Sequence, residues 1–164
     1  MTHPYRYWLA LHPDIPKPIG GVKQMHRLAE ALNNLGRDAR IIQKNAAFHP
    51  GWFSSDVNTI SYSEFRSNTD LSPNRDVVIL PETFLPALPK YAPGIPKILF
   101  NQNGAYSFGV KDGDGFPGPD EVLSLYSHLD LKHVLCVSRH DEILLKKGFD
   151  LGESRVSRII NSIE

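Results

Sequence analysis

Five short apolar runs, separated by glycine, proline and polar segments, constrain the fold of this chain more than any other feature. Most of them are apolar at successive positions, which is typical of parallel strands covered by helices on both faces. An antiparallel sandwich would alternate more clearly between apolar and polar residues. The runs are residues 7–11, 39–42, 77–80, 97–100 and 134–137.

The segment after the first run predicts the clearest helix of the chain. Its apolar residues recur at steps of three and four and share one face, while charged residues fill the other. Gly20-Gly21 marks the predicted start, and Gly36 lies where a glycine commonly ends a helix. The expected apolar face is Val22, Met25, Leu28, Ala29, Leu32 and Leu35.

A second helix is expected from about Arg139 to Lys147, after the last run. Ser138 and Asp141 have capping-box spacing, and Gly148 would end the helix behind two lysines. A weaker helix is expected to start at Asp120.

The middle of the chain predicts less regular structure. The segment 48–75 is polar, with room for a short strand near residues 59–60. Prolines between 81 and 96 allow only a short helix there. The glycine-rich segment 104–119 predicts a long loop.

These elements predict a three-layer α/β domain with a Rossmann-like, doubly wound and mostly parallel sheet. We expect the first strand to be central, between the strands at 39–42 and 97–100, with right-handed crossovers. Ligands of such sheets bind outside the carboxyl ends of the strands, where the strand order reverses.

Composition excludes several classes of protein. The 164 residues suffice for about one domain, and 18 Lys and Arg balance 18 Asp and Glu. That balance disfavours a dedicated nucleic-acid binder and a polybasic membrane anchor. A single cysteine, Cys136, rules out a disulfide framework and is expected in the core. No apolar run approaches the ~20 residues of a membrane span, so a cytoplasmic setting is expected.

The Gly20-Gly21 pair is the most informative junction, because it joins the first strand to the first helix. Glycines there let backbone amides approach a phosphate, but they also make a tight entry to a packed helix. Both interpretations stay open. The spacing fits neither the dinucleotide fingerprint nor a Walker loop, so an ordinary dehydrogenase or P-loop ATPase is disfavoured.

Polar residues follow several of the other predicted strand ends. His12 in His12-Pro13-Asp14 could serve acid–base chemistry, although a plain turn is the favoured interpretation. Asn101, Gln102 and Asn103 follow the fourth run, and these three amides could bind sugar hydroxyls or equally cap the loop backbone. Glu82 follows the third run, and Ser138 and Arg139 follow the fifth.

The loop 112–115 reads Asp-Gly-Asp-Gly and raises the question of a metal. It fails as a calcium EF-hand loop, because the sixth position from Asp112 is Pro117 rather than glycine. A solvated turn is the favoured interpretation, and no metal is expected.

The order and spacing of these segments resemble the N-terminal domain of GT-B fold glycosyltransferases of family 4, the "glycosyl transferases group 1" type. The resemblance rests on the Gly20-Gly21 helix through Gly36, and on the strands at 76–80, 95–100 and 134–138. The closing stretch, 158–164, is similar to the segment that leads into the second domain of that family. We therefore expect an acceptor-side domain over 1–158 and the start of a linker over 159–164.

The resemblance implies an enzyme of hexosyltransferase type in polysaccharide biosynthesis, without a cofactor or metal. It would transfer a sugar from a nucleotide-sugar donor to a glycan or lipid-linked acceptor. Gly20 and Gly21 would meet the donor, and Gln102 would line the reaction centre as the catalytic residue. The acceptor-binding residues would be His12, Glu82, Asn101, Asn103, Ser138 and Arg139.

Two departures from the family are evident. Many members have a histidine where this chain has Gln102, and an amide cannot shuttle a proton as imidazole does. The donor-binding C-terminal domain is not in this sequence, so it would be supplied in cis or by a partner subunit. This chain alone is expected to be inactive. A lipid-linked acceptor would bring peripheral contact with the inner membrane face.

The alternative is a non-catalytic, flavodoxin-like binding or interaction module. The Gly-Gly helix entry and the Asn-Gln-Asn turn favour the enzyme, provided that both lie at one cleft.

Overall fold

The computed structural model describes residues 5–110 and 115–160, and in them strands alternate with helices around a parallel sheet. The seven strands are β1 (Arg6–Ala10), β2 (Asp38–Gln43), β3 (Thr59–Ser61), β4 (Asp76–Pro81), β5 (Lys97–Asn101), β6 (Leu131–Cys136) and β7 (Val156–Arg158). The α-helices are α1 (Gly20–Asn34), α2 (Tyr62–Arg66), α3 (Pro119–Tyr126) and α4 (Arg139–Ile143). The expected α/β fold is confirmed: helices flank an all-parallel sheet in a Rossmann-like, doubly wound arrangement.

The strands are ordered β3-β2-β1-β4-β5-β6-β7, which corrects one expectation. β1 pairs with β2 and with β4, so its second neighbour is the strand at 76–81 and not the strand at 97–101. The strand order therefore reverses between β1 and β4. Apolar runs identify strands, but they carry no information about which strands are neighbours.

The chain divides into two compact units, the first ending at Ile79 and the second beginning at Leu80. The first unit contains the predicted amphipathic helix, α1, whose buried residues are Val22, Met25, His26 and Ala29. Leu28 and Leu32 are only half-buried, and Leu35 is 70% exposed. Leu35 does not belong to the buried face because α1 ends at Asn34, one residue before it.

Gly36 ends α1 in the way that the sequence predicts. Its φ is +74°, a conformation that favours glycine. The Arg37 N–H donates to the Leu32 carbonyl at 3.0 Å and the Gly36 N–H to the Asn33 carbonyl at 2.9 Å. These two bonds satisfy carbonyls that the end of a helix leaves without partners.

A buried carboxylate, Asp76, links the amino-terminal ends of β1 and β4 by hydrogen bonds in the first unit. Asp76 is fully buried and accepts hydrogen bonds from Arg6 Nε at 2.7 Å and from Trp8 Nε1 at 2.8 Å. The Ser72 backbone N–H also donates to it at 2.8 Å. The charge is thus fully engaged within the fold.

The second unit contains β5, β6 and β7, which pair in parallel. Sequence analysis missed β7, a three-residue strand in which only Val156 is buried. The Ile159 N–H extends the pairing by donating to the Cys136 carbonyl at 2.9 Å, while residues 161–164 of the expected linker lie outside the described residues. Cys136 is fully buried, as expected.

Most local expectations for the second unit are confirmed. Prolines restrict residues 82–87 to a short 3-10 helix, and α3 begins at Pro119. α4 continues as a wider π turn that ends at Gly148. Residues 112–114 of the loop considered for a metal lie outside the described residues. Among the described residues, no helix is long and apolar enough to cross a bilayer.

Candidate functional site

Polar groups at the carboxyl ends of β4 and β5 meet around the Glu82 carboxylate in the second unit. Glu82 directly follows β4, and Gln102 and Asn103 directly follow β5. The backbone N–H groups of Gln102 and Asn103 donate to the Glu82 carboxylate, as does its own backbone N–H. The structure therefore brings these three sequence-predicted residues together.

Glu82 occupies an unusual electrostatic position. The residue is 5% exposed, and Oε2 of its carboxylate has no hydrogen-bond partner among the described residues. Burial raises the pKa of Glu82 to about 6, despite the backbone hydrogen bonds that oppose the rise, and the nearby Asp141 charge adds to it. A buried carboxylate oxygen without a donor is costly, so Glu82 is a candidate for a role other than stabilising the fold.

Asp141 and Gly104 complete the cluster, and sequence analysis assigned neither of them to a site. Asp141 lies in α4, is 5% exposed, and its backbone N–H donates to Ser138 Oγ at 3.0 Å. A Cβ atom on Gly104 would clash with Oδ1 of Asp141, so the loop after β5 approaches this carboxylate closely. Gly104 permits this contact by having no side chain.

The other predicted residues around this cluster have structural partners. Asn101 is fully buried, and its Nδ2 donates to Ser107 Oγ at 2.7 Å. Oδ1 of Asn103 accepts from the Ala105 N–H at 3.0 Å. Both side chains therefore hold the 101–107 loop, in line with the loop-capping interpretation.

Ser138 and Arg139 stand at the start of α4. The hydroxyl of Ser138 caps the helix, as the capping-box spacing predicts. Arg139 is exposed at the first position of the helix. Only Ser138 is tied to the cluster, through its bond to the Asp141 N–H.

His12, Gly20 and Gly21 belong to the first unit. The His12 ring stacks on Tyr62 with 4.2 Å between ring centroids, and burial lowers the pKa of His12 although Asp14 opposes this. The Asp14 carboxylate accepts from the backbone N–H groups of Lys44 at 2.8 Å and Asn45 at 3.0 Å. The segment 12–14 therefore ties loops together, which favours the turn interpretation.

The start of α1 has room for a close approach. A Cβ atom on Gly20 would meet no atom within 4 Å, so local packing does not require a glycine there. The N-cap residue Ile19 offers no side-chain cap, and the first turn contains no acidic residue. This helix start is thus compatible with the phosphate interpretation of the glycine pair.

The described residues contain no group of three or more His, Cys, Asp or Glu side chains arranged to hold a metal ion. A scan against models of protein families finds no match to this chain, and a search of curated proteins finds none either.

Proposed function

We propose that this chain is the acceptor-side half of a GT-B type glycosyltransferase that transfers a sugar from a nucleotide-sugar donor to a glycan or lipid-linked acceptor. One observation carries the proposal: the Glu82 carboxylate is held on one side by backbone N–H groups, while its buried Oε2 has no partner among the described residues. A hydroxyl of the acceptor sugar supplies the donor that this oxygen needs.

Catalysis in this proposal comes from positioning. Glu82 orients the acceptor hydroxyl, and the Gln102 side chain hydrogen-bonds a sugar hydroxyl beside it. A donor-binding domain, in cis or on a partner subunit, holds the nucleotide sugar, and Gly20 and Gly21 of the first unit meet its diphosphate. The donor oxygens are stabilised by hydrogen bonds, without a metal.

Calorimetry on the 164-residue chain tests this proposal. Acceptor glycans should bind, whereas common nucleotide sugars should give little heat, because most donor contacts belong to the other domain. Glu82→Gln should weaken glycan binding by about tenfold or more, the usual effect of losing a charged hydrogen bond.

Glu153→Gln is the matched control, because the Glu153 side chain is 73% exposed and only forms a surface ion pair with Lys146. It should leave glycan affinity unchanged. Tight binding of a nucleotide sugar to the chain alone would contradict the proposal. So would equal glycan affinity of the wild type and Glu82→Gln. A chain that binds no glycan would favour the non-catalytic module.

A further inference from the structure

An apolar cavity of about 420 Å³ lies in the second unit. Its described lining consists only of Ala, Phe, Pro, Val, Leu and Gly residues, so it offers no side-chain hydrogen bond to a sugar or a phosphate. The volume falls in the range of small-molecule sites, which are typically lined by apolar and aromatic side chains. This cavity can recognise an apolar group and little else.

The cavity adjoins the polar cluster through the loop that follows β5. Ala105 lines the cavity, and its backbone N–H donates to Oδ1 of Asn103 at 3.0 Å. The backbone N–H of Asn103 in turn donates to the Glu82 carboxylate. The loop after β5 therefore connects the backbone that holds the Glu82 carboxylate to the wall of the cavity.

One wall of the cavity is held by a ring contact and a hydrogen bond. Phe149 lines it and stacks on Tyr126 with 4.7 Å between ring centroids. The Tyr126 hydroxyl donates to the Ser107 carbonyl at 2.6 Å, which ties this wall to the same loop.

Exposed apolar side chains gather at the cavity. Phe116 is 61% exposed, Leu123 45% and Phe108 42%, and all three are lining residues. Single exposed apolar residues are ordinary, but several around one cavity mark a binding site. Leu129, 85% exposed, is not among the lining residues.

We infer that this cavity binds an apolar aglycone, so that the acceptor is a glycoside whose sugar lies at Glu82 and whose aliphatic or aromatic group enters the cavity. The inference rests on the proposed function for the position of the sugar. It goes beyond that function by naming the chemical class of the acceptor.

Titration of the chain with methyl, butyl, hexyl and octyl glycosides of one sugar, below their micellar concentrations, tests the inference. Affinity should rise by up to about fourfold for each added methylene until the cavity is filled. Phenyl and naphthyl glycosides form a second arm, which separates an aromatic from an aliphatic aglycone. Equal affinity across both series would overturn the inference.

Leu123→Asn should reduce the affinity for the octyl glycoside towards that of the methyl glycoside. Leu129→Asn is the matched control and should change neither affinity. Phe116→Ser offers a second exposed position at the cavity, and circular dichroism checks that each variant is folded. Equal effects of Leu123→Asn and Leu129→Asn on octyl binding would overturn the inference.

The two proposals fail in different ways. If Glu82→Gln weakens methyl glycoside binding but chain length has no effect, the cavity inference fails and the proposed function stands. If a longer alkyl chain raises the affinity but Glu82→Gln changes the affinity for none of the glycosides, the placement of the sugar at Glu82 is wrong. If Leu123→Asn abolishes binding to phosphatidylcholine vesicles while soluble glycosides show no chain-length effect, the cavity is a membrane contact and the inference is overturned.

Discussion

At the scale of single residues, Glu82 carries a carboxylate whose charged form opposes the stability of the fold. Its carboxylate is desolvated, and one oxygen has no donor within the described residues. Because burial raises the pKa of Glu82 from 4.5 to about 6, the folded state disfavours its charged form. A buried group with a strongly shifted pKa is a candidate for recognition, which is the role that we propose for Glu82.

We predict that Glu82 makes the folded protein less stable as the pH rises. The stabilisation of its protonated form is complete below pH 4.5 and is lost as the pH rises through about 6. The loss reaches about 2 kcal/mol, since one pKa unit corresponds to about 1.4 kcal/mol. Glu82→Gln should remove this contribution while it weakens glycan binding.

Urea unfolding of both proteins between pH 4 and pH 8 measures the effect. The free energy of unfolding of Glu82→Gln, relative to that of the wild type, should increase as the pH rises. A difference that does not change over this range would show that Glu82 is ordinarily solvated.

At the scale of elements, the site depends on the contact between the β5–α3 connection and the start of α4. The Ser138 cap holds the first turn of α4, and Gly104 lets the loop approach the carboxylate of Asp141. Gly104 and Asp141, which are more than 30 residues apart in sequence, thus form one wall of the candidate site.

We predict that Gly104→Ala displaces Asp141 and disrupts this wall. The added methyl group would clash with Oδ1 of Asp141, and overpacking at such a contact typically costs about 1–3 kcal/mol. Thermal unfolding and glycan titration measure the two consequences. Gly152→Ala is the control, because a Cβ atom there meets nothing within 4 Å. Equal melting temperatures and glycan affinities of the two variants would contradict this contact.

At the scale of the whole molecule, the sequence predicts the strands better than their arrangement. The long runs were identified because continuous apolar strands have a clear pattern, but β7 has only one buried residue and no pattern to detect. The position of β4 beside β1 was not predictable, since neighbours are chosen by long-range packing. His26 was missed because it resembles a polar helix position, yet it is 1% exposed and its Nδ1 lies 2.9 Å from Ser55 Oγ.

For the candidate site, too, the sequence identifies local features but not contacts between distant segments. Glu82, Gln102 and Asn103 were predicted as candidates because each follows a predicted strand, and carboxyl ends of parallel strands share one edge. Asp141 and Gly104 were not found, because their importance comes from a contact between distant segments. The acceptor-binding role of Asn101 stays a prediction, and its Nδ2 donates to Ser107 Oγ inside the fold.

The first unit supplies a prediction about acid stability. Burial alone would raise the pKa of Asp76, but hydrogen bonds from Arg6, Trp8 and Ser72 outweigh it and lower the pKa below 3.8. The stabilisation is therefore present above that value and is lost as the pH falls through the lowered pKa. Asp76→Asn should cost about 3–5 kcal/mol at pH 7, as expected for breaking a buried ion pair.

Urea unfolding of the wild type and Asp76→Asn at pH 7 and at pH 2.5 measures this contribution. The difference in free energy of unfolding should shrink at the lower pH. Asp38→Asn is the control. The side chains of Asp38 and Arg40, which form an ion pair, are each about 40% exposed, so this pair should contribute little to stability. Equal effects of the two substitutions would contradict the buried network.

Backbone amide shifts of the ¹⁵N-labelled chain, recorded during titration with a methyl glycoside, test most directly whether the carboxyl edge of β4 to β6 binds an acceptor sugar. We predict that the largest shifts belong to the amides of Gln102, Asn103 and Asp141, and that they vanish in Glu82→Gln but not in Glu153→Gln. Saturable shifts confined to other residues, or shifts that persist in Glu82→Gln, would contradict the assignment of this site.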